Sequence, residues 1–278
     1  MRRRRYHWAL CSTHSKESDE MPKPARVGLT WFAGLLLMGG VVLLGACGDD
    51  STAPNPGSFS GLVAWFDASA LTGLAEDDSV GTWPDRSANG NDATQATAAN
   101  QPLYKASLIG GRPGLSFDGT DFLATGDVSL GTFSMFIVFS ATANGMPITH
   151  GDATGTGNGH WIYTDEGCAI DLRRGGAFSG KNVSPDWGID GASRVVTHTF
   201  DGTHAGNLLY IDGTAQTLVD CLSSVDPGTT PTAQALGIGA RPTGANPVTG
   251  SIAEVIVYDR VLTAAERQTV ETYLGTKY

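Results

Sequence analysis

The segment GSIAEVIVYDRVLTAAE, residues 250–266, joins a strand signal to a helix signal. Residues 252–258 are mostly β-branched or aromatic, which favours a buried strand. Thr263 can cap the helix that follows, and Glu266, three residues later, completes a capping box. The apolar face of that helix would pack on a sheet and consists of Val270, Tyr273 and Leu274.

Outward from this segment, short β-rich runs alternate with clusters of Gly, Asn, Asp and Pro. The runs are 62–66, 133–140, 161–164, 169–173, 195–200, 208–212 and 252–258. Within 195–200, Val195 and Thr197 face opposite to Val196 and His198, as expected for a strand. Asp212-Gly213 predicts a hairpin turn. Many short strands without interleaved helices predict an all-β sandwich or jelly roll.

Several motifs follow one another in a fixed order. They are LVAWFDAS (62–69), WPDRSANGNDA (83–93), QP (101–102), GRPGLSFDG (111–119), FSMFIVFSA (133–141), Tyr210 with Asp212-Gly213, and residues 250–266. Their order and spacing resemble the laminin G-like, concanavalin A-like jelly-roll domains of bacterial exported proteins. The resemblance spans about residues 60–278 and implies an all-β fold of two antiparallel sheets packed face to face. Where the family usually has glycine, this chain has Ala88, so we expect an altered turn there.

Residues 28–46 are apolar and end in small residues before Cys47, with Lys23 and Arg26 just upstream. This is the layout of a secretory signal. LGAC, residues 44–47, resembles the bacterial lipobox, in which the cysteine thiol is acylated. We therefore expect residues 1–46 to be a signal region whose true start is Met21, and Cys47 to be lipidated. The alternative is an uncleaved membrane helix, because about 19 apolar residues can also span a bilayer.

This signal predicts an exported protein, anchored by lipid to the bacterial cell envelope on its periplasmic or extracellular face. Residues 47–58 contain no large apolar side chain and predict a flexible tether. Residues 59–278 suffice for one large core and show no fixed repeat, so we expect a single jelly-roll domain.

The chain is acidic, with a formal net charge of −10 at pH 7. The predicted signal region holds more basic than acidic residues, so its removal makes the remainder more acidic. Such a charge repels phosphate backbones and anionic headgroups. The composition therefore argues against nucleic acid as a partner and against direct lipid adsorption, and it is compatible with cations and neutral glycans.

Cys168 and Cys221 are the two cysteines of the predicted domain. In an oxidising compartment, a pair predicts one disulfide, which would close a loop of about fifty residues and stabilise the domain by a few kcal/mol. The alternative is two separate buried thiols. Neither cysteine has the CxxC spacing of a metal or redox site.

No catalytic motif is present in the sequence. Related jelly-roll glucanases usually carry Glu-x-Asp-x-x-Glu on one strand, and that run does not occur here, nor does a GxSxG or an HExxH motif. The nearest carboxylate sets, Asp165 with Glu166 and Glu254 with Asp259, have a different spacing. We therefore predict no catalytic residue. A glycoside hydrolase with unrecognised acids and a purely structural envelope protein are the alternatives.

One loop offers oxygen ligands for calcium, which relatives of this fold often bind at one rim. The four candidate side chains are Asp85, Asn89, Asn91 and Asp92. The alternative is that these residues cap their own turns through local hydrogen bonds. No other cofactor is expected.

Glycan binding needs an aromatic ring for the apolar side of a sugar and polar side chains for its hydroxyls. Trp187 lies among turn formers and is the first candidate; Trp161, Tyr163 and Arg241 are further candidates, and Arg173 and Arg174 could reach hydroxyls. Trp65 and Trp83 belong to structural motifs and are assigned to the core. The leading hypothesis is a membrane-tethered, non-catalytic module that binds glycan or a partner protein at the cell surface.

Overall fold

Strands make up most of the domain. The computed structural model describes residues 55–151, 158–164, 168–183 and 188–278. In chain order the strands of these residues are β1 (Leu62–Asp67), β2 (Thr82–Trp83), β3 (Ala93–Thr94), β4 (Leu103–Ile109), β5 (Arg112–Asp118), β6 (Leu123–Leu130), β7 (Phe133–Ala141), β8 (Ile148–His150), β9 (Gly159–Ile162), β10 (Ile170–Arg174), β11 (Ala177–Val183), β12 (Arg194–Phe200), β13 (Leu208–Ile211), β14 (Thr214–Ala215), β15 (Leu218–Ser224), β16 (Thr232–Ile238) and β17 (Thr249–Tyr258). One α-helix follows, α1 (Ala264–Lys277), and single 3-10 turns occur at Pro56–Ser58, Ala68–Ala70 and Ala98–Asn100.

The strands form two antiparallel sheets. The first has the order β14-β13-β12-β7-β17-β5-β4, and β1 also pairs with β17. The second has the order β15-β11-β10-β9-β8-β16-β6-β3-β2. The prediction of a two-sheet antiparallel jelly roll with one C-terminal helix is therefore confirmed.

Strand β17, which the opening motif predicts, organises the first sheet. Its first half pairs with β5, its second half pairs with β1, and its other edge pairs with β7 along almost its whole length. Its side chains are buried on both faces because one face meets the second sheet and the other meets α1. Val255 and Val257 lie in the core between the sheets, whereas Ile256 and Tyr258 lie in a second cluster together with Val270 and Leu274 of α1.

Helix α1 begins where the sequence predicts. The Thr263 hydroxyl accepts the Glu266 backbone N–H, and the Glu266 side chain accepts the Thr263 backbone N–H, which completes the capping box. Arg260 donates to both carboxylate oxygens of Glu266, at 2.9 and 2.7 Å, and this pairing lowers the pKa of Glu266 to about 2. The capping residue is thus held as an anion at the helix N-terminus, where a negative charge is favourable.

Two tryptophans have the core positions expected for them. Trp83 has no exposed surface and lies in the core between the sheets, and Trp65 is 8% exposed and lies in the cluster under α1. The alternation predicted for 195–200 is also confirmed, since Val196 faces the main core and Val195 faces the second cluster.

Cys168 and Cys221 form a disulfide with a Cα–Cα distance of 5.7 Å. The predicted pairing is confirmed, and the alternative of two separate thiols is wrong. The bond joins Cys168, which lies just before β10, to Cys221 of the edge strand β15.

The altered turn expected at Ala88 is not found. Ala88 adopts φ +68, the left-handed conformation that glycine would adopt without strain. The turn is retained because the side chains around it are fixed to β1: the Asn89 and Asn91 amides donate to the Leu62 and Val63 carbonyls at 2.9 and 2.8 Å.

The signal region and its lipobox, residues 1–47, lie outside the described residues. Among the helices of the described ranges, none combines the length and the apolar composition that crossing a bilayer requires.

Candidate ligand-binding site

The outer face of the second sheet brings together two of the side chains predicted for ligand contact and one acid that was not predicted. Trp161 on β9 lies opposite Asp171 on β10, and Arg173 lies two residues further along the same strand. Since side chains alternate along a strand, these three residues share the outer face. The intervening residue Leu172 and the neighbour Ile162 pack in the main core.

Two guanidinium groups lie over the indole of Trp161. The Cζ atoms of Arg173 and Arg241 are each 5.0 Å from the ring centroid, within the range of a cation–π interaction. Trp161 is only 3% exposed. Its ring therefore orients the two arginines and is not an open surface on which a sugar could stack.

Arg241 reaches this position from the turn after β16. Its backbone N–H donates to the Ala245 carbonyl at 3.0 Å, and its own carbonyl accepts from Gly244 at 2.8 Å. Its Nε donates to the thioether of Met146 at 3.5 Å. Met146 and the half-buried Tyr163 pack with Trp161 in a small hydrophobic cluster that is separate from both large ones. The turn and the thioether thus fix the guanidinium on the indole.

Asp171 supplies a buried acid beside the arginines. Its Oδ2 accepts from Nε of Arg173 at 2.9 Å and lies 2.9 Å from Nη2 of the same residue. Its Oδ1 is buried and has no hydrogen-bond partner among the residues that the structure describes. Burial raises the pKa of Asp171, and the hydrogen bond from Arg173 opposes that increase. This acceptor atom is therefore not used by any residue that the structure describes.

We call the set Met146, Trp161, Tyr163, Asp171, Arg173 and Arg241 the Trp161 face. It combines directed N–H donors, one buried carboxyl acceptor and aromatic edges, the groups that fix the orientation of a polyhydroxylated ligand.

The family model for the concanavalin A-like lectin/glucanases superfamily matches residues 110–266, which is more than half of the chain. The chain belongs to this superfamily. The match includes every residue of the Trp161 face. A comparison with curated protein sequences gives no match.

Solved structures share the concanavalin A-like fold at low sequence identity. Domain 4 of AbnA, a GH43 extracellular arabinanase from Geobacillus stearothermophilus, in complex with arabinotriose, has a TM-score of 0.52 and 15% identity over 76% of this chain and 97% of that one. Trypanosoma rangeli sialidase has a TM-score of 0.51 and 16% identity over 79% of this chain. The match covers 33% of the sialidase chain. At these identities the similarity shows the fold alone.

The other predicted contacts of the concanavalin A-like domain are placed differently. Trp187 lies outside the described residues, so its role stays a prediction. Arg174 faces the interior: its guanidinium donates to the carbonyls of Leu130 and Gly228 at 3.1 and 2.6 Å. Asp171 was not singled out from the sequence, although strand alternation places it on the same face as Arg173.

The predicted calcium loop makes the hydrogen bonds of a turn. Both carboxylate oxygens of Asp85 accept hydrogen bonds, from the backbone N–H groups of Trp65, Ser87 and Asn91 at 2.8–3.0 Å and from the Ser87 hydroxyl at 2.7 Å. Asp92 Oδ1 accepts the Asp85 N–H at 2.8 Å. This is the arrangement that the turn interpretation describes, and calcium binding stays a prediction.

Glu254 is buried completely and its carboxylate is saturated with donors. Oε1 accepts from Trp65 Nε1 at 2.7 Å and Tyr273 OH at 3.1 Å; Oε2 accepts from Lys277 Nζ at 2.7 Å and Tyr278 OH at 3.0 Å. Burial raises the pKa of Glu254, the nearby Asp67 carboxylate raises it further, and Lys277 opposes both effects. These contacts join α1 to the first sheet and leave no open side for a substrate.

Proposed function

We propose that this protein is an exported, membrane-anchored lipoprotein whose jelly-roll domain binds glycan without cleaving it. The observation that carries the proposal is the Trp161 face, where one buried oxygen of Asp171 has no partner among the described residues and lies beside two oriented guanidinium groups.

The kind of ligand is supported by the fold. The name of the superfamily refers to lectins and glucanases, which are proteins that act on carbohydrate. The arabinanase domain that shares the fold was solved in complex with arabinotriose. A neutral oligosaccharide is therefore the first ligand class to test, and it is compatible with the acidic charge of the chain.

The non-catalytic role is supported by the acids themselves. Glycoside hydrolysis needs two carboxyl groups on either side of the glycosidic bond. Glu254 and Asp67 are a close pair of acids, but both are buried beneath α1 and bridged by Lys277. The sequence also lacks the three-acid run of related glucanases.

Binding is tested on a glycan array with the full chain and two matched arginine variants. Arg241→Gln removes a guanidinium of the Trp161 face, whereas Arg112→Gln removes an exposed arginine of β5 in the other sheet. We expect Arg241→Gln to lose at least tenfold in affinity, because a buried polar site loses a charged hydrogen-bond donor. Arg112→Gln should bind as the unmodified protein does.

Trp187→Ala extends the same test to the candidate outside the described residues. Release of reducing sugar that is abolished by a single Asp or Glu substitution would favour the hydrolase instead. Binding to no glycan would leave a protein partner or a structural role.

The anchor is tested separately. Mass spectrometry of the N-terminal peptide should find cleavage after Ala46 and an acylated Cys47, and Cys47→Ser should release the domain from the membrane fraction. Stable anchoring by acylation requires more than one chain. A mature protein that still carries residues 1–46 would contradict the proposal.

A further inference from the structure

The disulfide sulfur of Cys221 lies on the outer face of the second sheet, next to the buried acid of the Trp161 face. Asp171 on β10 pairs with Gly180 on β11 in a regular register, and the side chains of directly opposed residues lie on the same face of a sheet. A Cβ atom at Gly180 would therefore point to the outer face, where it would lie 3.2 Å from Cys221 Sγ and 3.1 Å from Leu222 Cβ. The sulfur and the leucine thus occupy the space above Gly180.

These two groups explain why Asp171 is only 1% exposed. Its cross-strand neighbours are Trp161 on one side and Gly180 on the other. A glycine has no side chain with which to cover an adjacent carboxyl group, so this side of Asp171 depends on cover from another segment. Cys221 and Leu222 of β15 supply it. We call these two residues the β15 wall; it lies on the side of Asp171 opposite the indole.

Backbone pairing does not fix the β15 wall. In the ladder of β11 with β15, regular pairing stops at Ser179 and resumes at Lys181, so residues 221–223 all oppose Gly180. This is a β-bulge, and the surplus residues of a bulge lack the regular ladder hydrogen bonds. The wall therefore lies at the point where the two strands are joined least by their backbones.

The two ends of β15 are held independently of the disulfide. Leu218, at the start of the strand, packs against the main core. The Val225 backbone N–H, just after the end of the strand, donates to the Phe178 carbonyl at 3.1 Å. The bond from Cys221 to Cys168 constrains the bulge between these ends, so its loss would free the wall without releasing the strand.

The bond itself is open to reduction. Cys168 and Cys221 are each half-buried, so a reductant in the solvent has access to them. Reduction takes two electrons and two protons. A dithiol reductant supplies both, is itself oxidised to a disulfide, and leaves one thiol on each of the two cysteines.

We propose that this disulfide positions Arg173 in the Trp161 face and makes ligand affinity depend on redox state, a proposal that rests on the glycan-binding function proposed above. With the bond closed, the β15 wall keeps water from Asp171, whose Oδ2 holds both Nε and Nη2 of Arg173 at 2.9 Å. An ion pair is strong where water is excluded and weak where water surrounds it. With the bond reduced, water reaches Asp171, and the guanidinium loses its fixed orientation over Trp161. Ligand affinity is then high in an oxidising compartment and low under reducing conditions.

Carboxyl-group footprinting of the full chain in detergent tests the β15 wall without any ligand. A water-soluble carbodiimide and a small amine modify accessible carboxyl groups, and mass spectrometry gives the rate at each acid. In the double variant Cys168→Ser with Cys221→Ser, modification of Asp171 should rise about tenfold, as expected if the wall opens about ten times more often. Glu254, which is buried under α1, is the internal control, and its rate should not change.

Two single variants separate the wall from the covalent bond. Leu222→Ala removes half of the wall and keeps the disulfide, so modification of Asp171 should rise and affinity should fall. Val219→Ala changes a residue of the same strand outside the wall and should leave both unchanged. Leu222 and Val219 are 59% and 47% exposed, so neither truncation empties the core. If the double serine variant does not fold, Leu222→Ala decides whether the wall shields Asp171.

Glycan affinity is then measured with and without dithiothreitol, at a temperature at which circular dichroism shows both forms to be folded. The affinity of the unmodified chain should fall about tenfold on reduction and return on reoxidation, since a wall that is closed about one-tenth of the time lowers the apparent affinity by that fraction. Lys277→Met destabilises the first sheet and leaves the disulfide intact. It is the control for lost stability and should keep its affinity.

Each contrary result has a distinct meaning. An unchanged rate at Asp171 in the folded double variant, or an equal rise at Glu254, would overturn the shielding by the wall. A higher rate at Asp171 with unchanged affinity, or an equal loss of affinity in Lys277→Met, would overturn the redox dependence and leave glycan binding intact. If the unmodified chain binds no glycan although Asp171 responds to the bond, the glycan-binding function fails and the shielding by the disulfide stands.

Discussion

The ammonium group of Lys277 lies 2.7 Å from Oε2 of Glu254, a carboxylate with no exposed surface. The same ammonium lies 2.7 Å from Oδ1 of Asp67 on β1. The last residue of α1 thus joins the helix to two neighbouring strands of the first sheet. Two buried acids share this one cation, and the Arg86 guanidinium pairs with the other oxygen of Asp67.

Lys277→Met should lower the free energy of unfolding by about 3–5 kcal/mol, because it leaves Glu254 and Asp67 buried without the cation between them. Urea denaturation at pH 7 measures the loss. The matched control is Lys105→Met, which removes a solvent-exposed pair with Asp77 and should change the free energy of unfolding far less than Lys277→Met does. Lys277→Met combined with Glu254→Gln should recover part of the loss; equal losses in the two single lysine variants would contradict this account.

Ala88→Gly should stabilise the domain by about 1 kcal/mol, because alanine at φ +68 carries the strain of the left-handed conformation. Ala205→Gly is the control at an exposed alanine that is not among the positive-φ residues, and there glycine should destabilise. Thermal unfolding of both variants gives the comparison. A lower melting temperature for Ala88→Gly would show that the turn gains nothing from glycine.

Asp85→Ala should destabilise the domain by about 2–4 kcal/mol whether or not calcium is present, since four donors lose their acceptor. The melting temperature is measured in EDTA and in Ca²⁺. If the loop binds calcium, Ca²⁺ should raise the melting temperature of the unmodified chain and leave that of Asp85→Ala unchanged. If Asp85→Ala lowers the melting temperature less in EDTA than in Ca²⁺, part of the stabilisation by Asp85 comes from calcium binding.

Acid should destabilise the whole domain through its buried histidines. Burial lowers the pKa of His150 and of His198 to about 4, against an ordinary value of 6.5. The unfolded chain therefore takes up these protons at a higher pH than the folded protein does. Their contribution to stability is complete above pH 6.5 and is lost as the pH falls towards 4, at about 1.4 kcal/mol per pH unit for each histidine.

His150→Gln tests this in urea titrations between pH 7 and pH 5. Glutamine retains a donor for the Val128 carbonyl, which His150 Nε2 contacts at 2.7 Å, but it does not titrate. The variant should lose about 1.4 kcal/mol per pH unit of the pH dependence in this window. An unchanged pH dependence would mean that His150 is not held neutral by burial.

The sequence predicted the local elements well where one physical rule dominated. Capping chemistry predicted the start of α1, period-two alternation predicted β12, and β-rich runs bounded by turn residues predicted β7 and β17. The predicted strand bounds were less accurate for short strands. Residues 161–164 were predicted as a strand, whereas β9 spans Gly159–Ile162. The two-residue strands β2, β3 and β14 carry too few side chains to show any period.

The candidate site was predicted in its residue types and not in its arrangement. Trp161 was expected to offer an open ring, yet it is covered because Arg173 of β10 and Arg241 of the turn after β16 converge on it. Arg173 and Arg174 are neighbours in sequence with the same side chain. Arg173 lies on the outer face and Arg174 faces the interior, and only the register of β10 with its neighbours assigns them.

The sequence by itself determined the fold class, the capped C-terminal helix and the pairing partners available to its cysteines, because these follow from periodicity, capping and residue count over a few positions. Only the tertiary structure decided which polar groups meet. Lys277 reaches Glu254 across 23 residues, and Ser179 reaches His204 across 25. Such contacts depend on how strands are ordered in two stacked sheets, and that order is set by the packing of the whole core and by no local pattern.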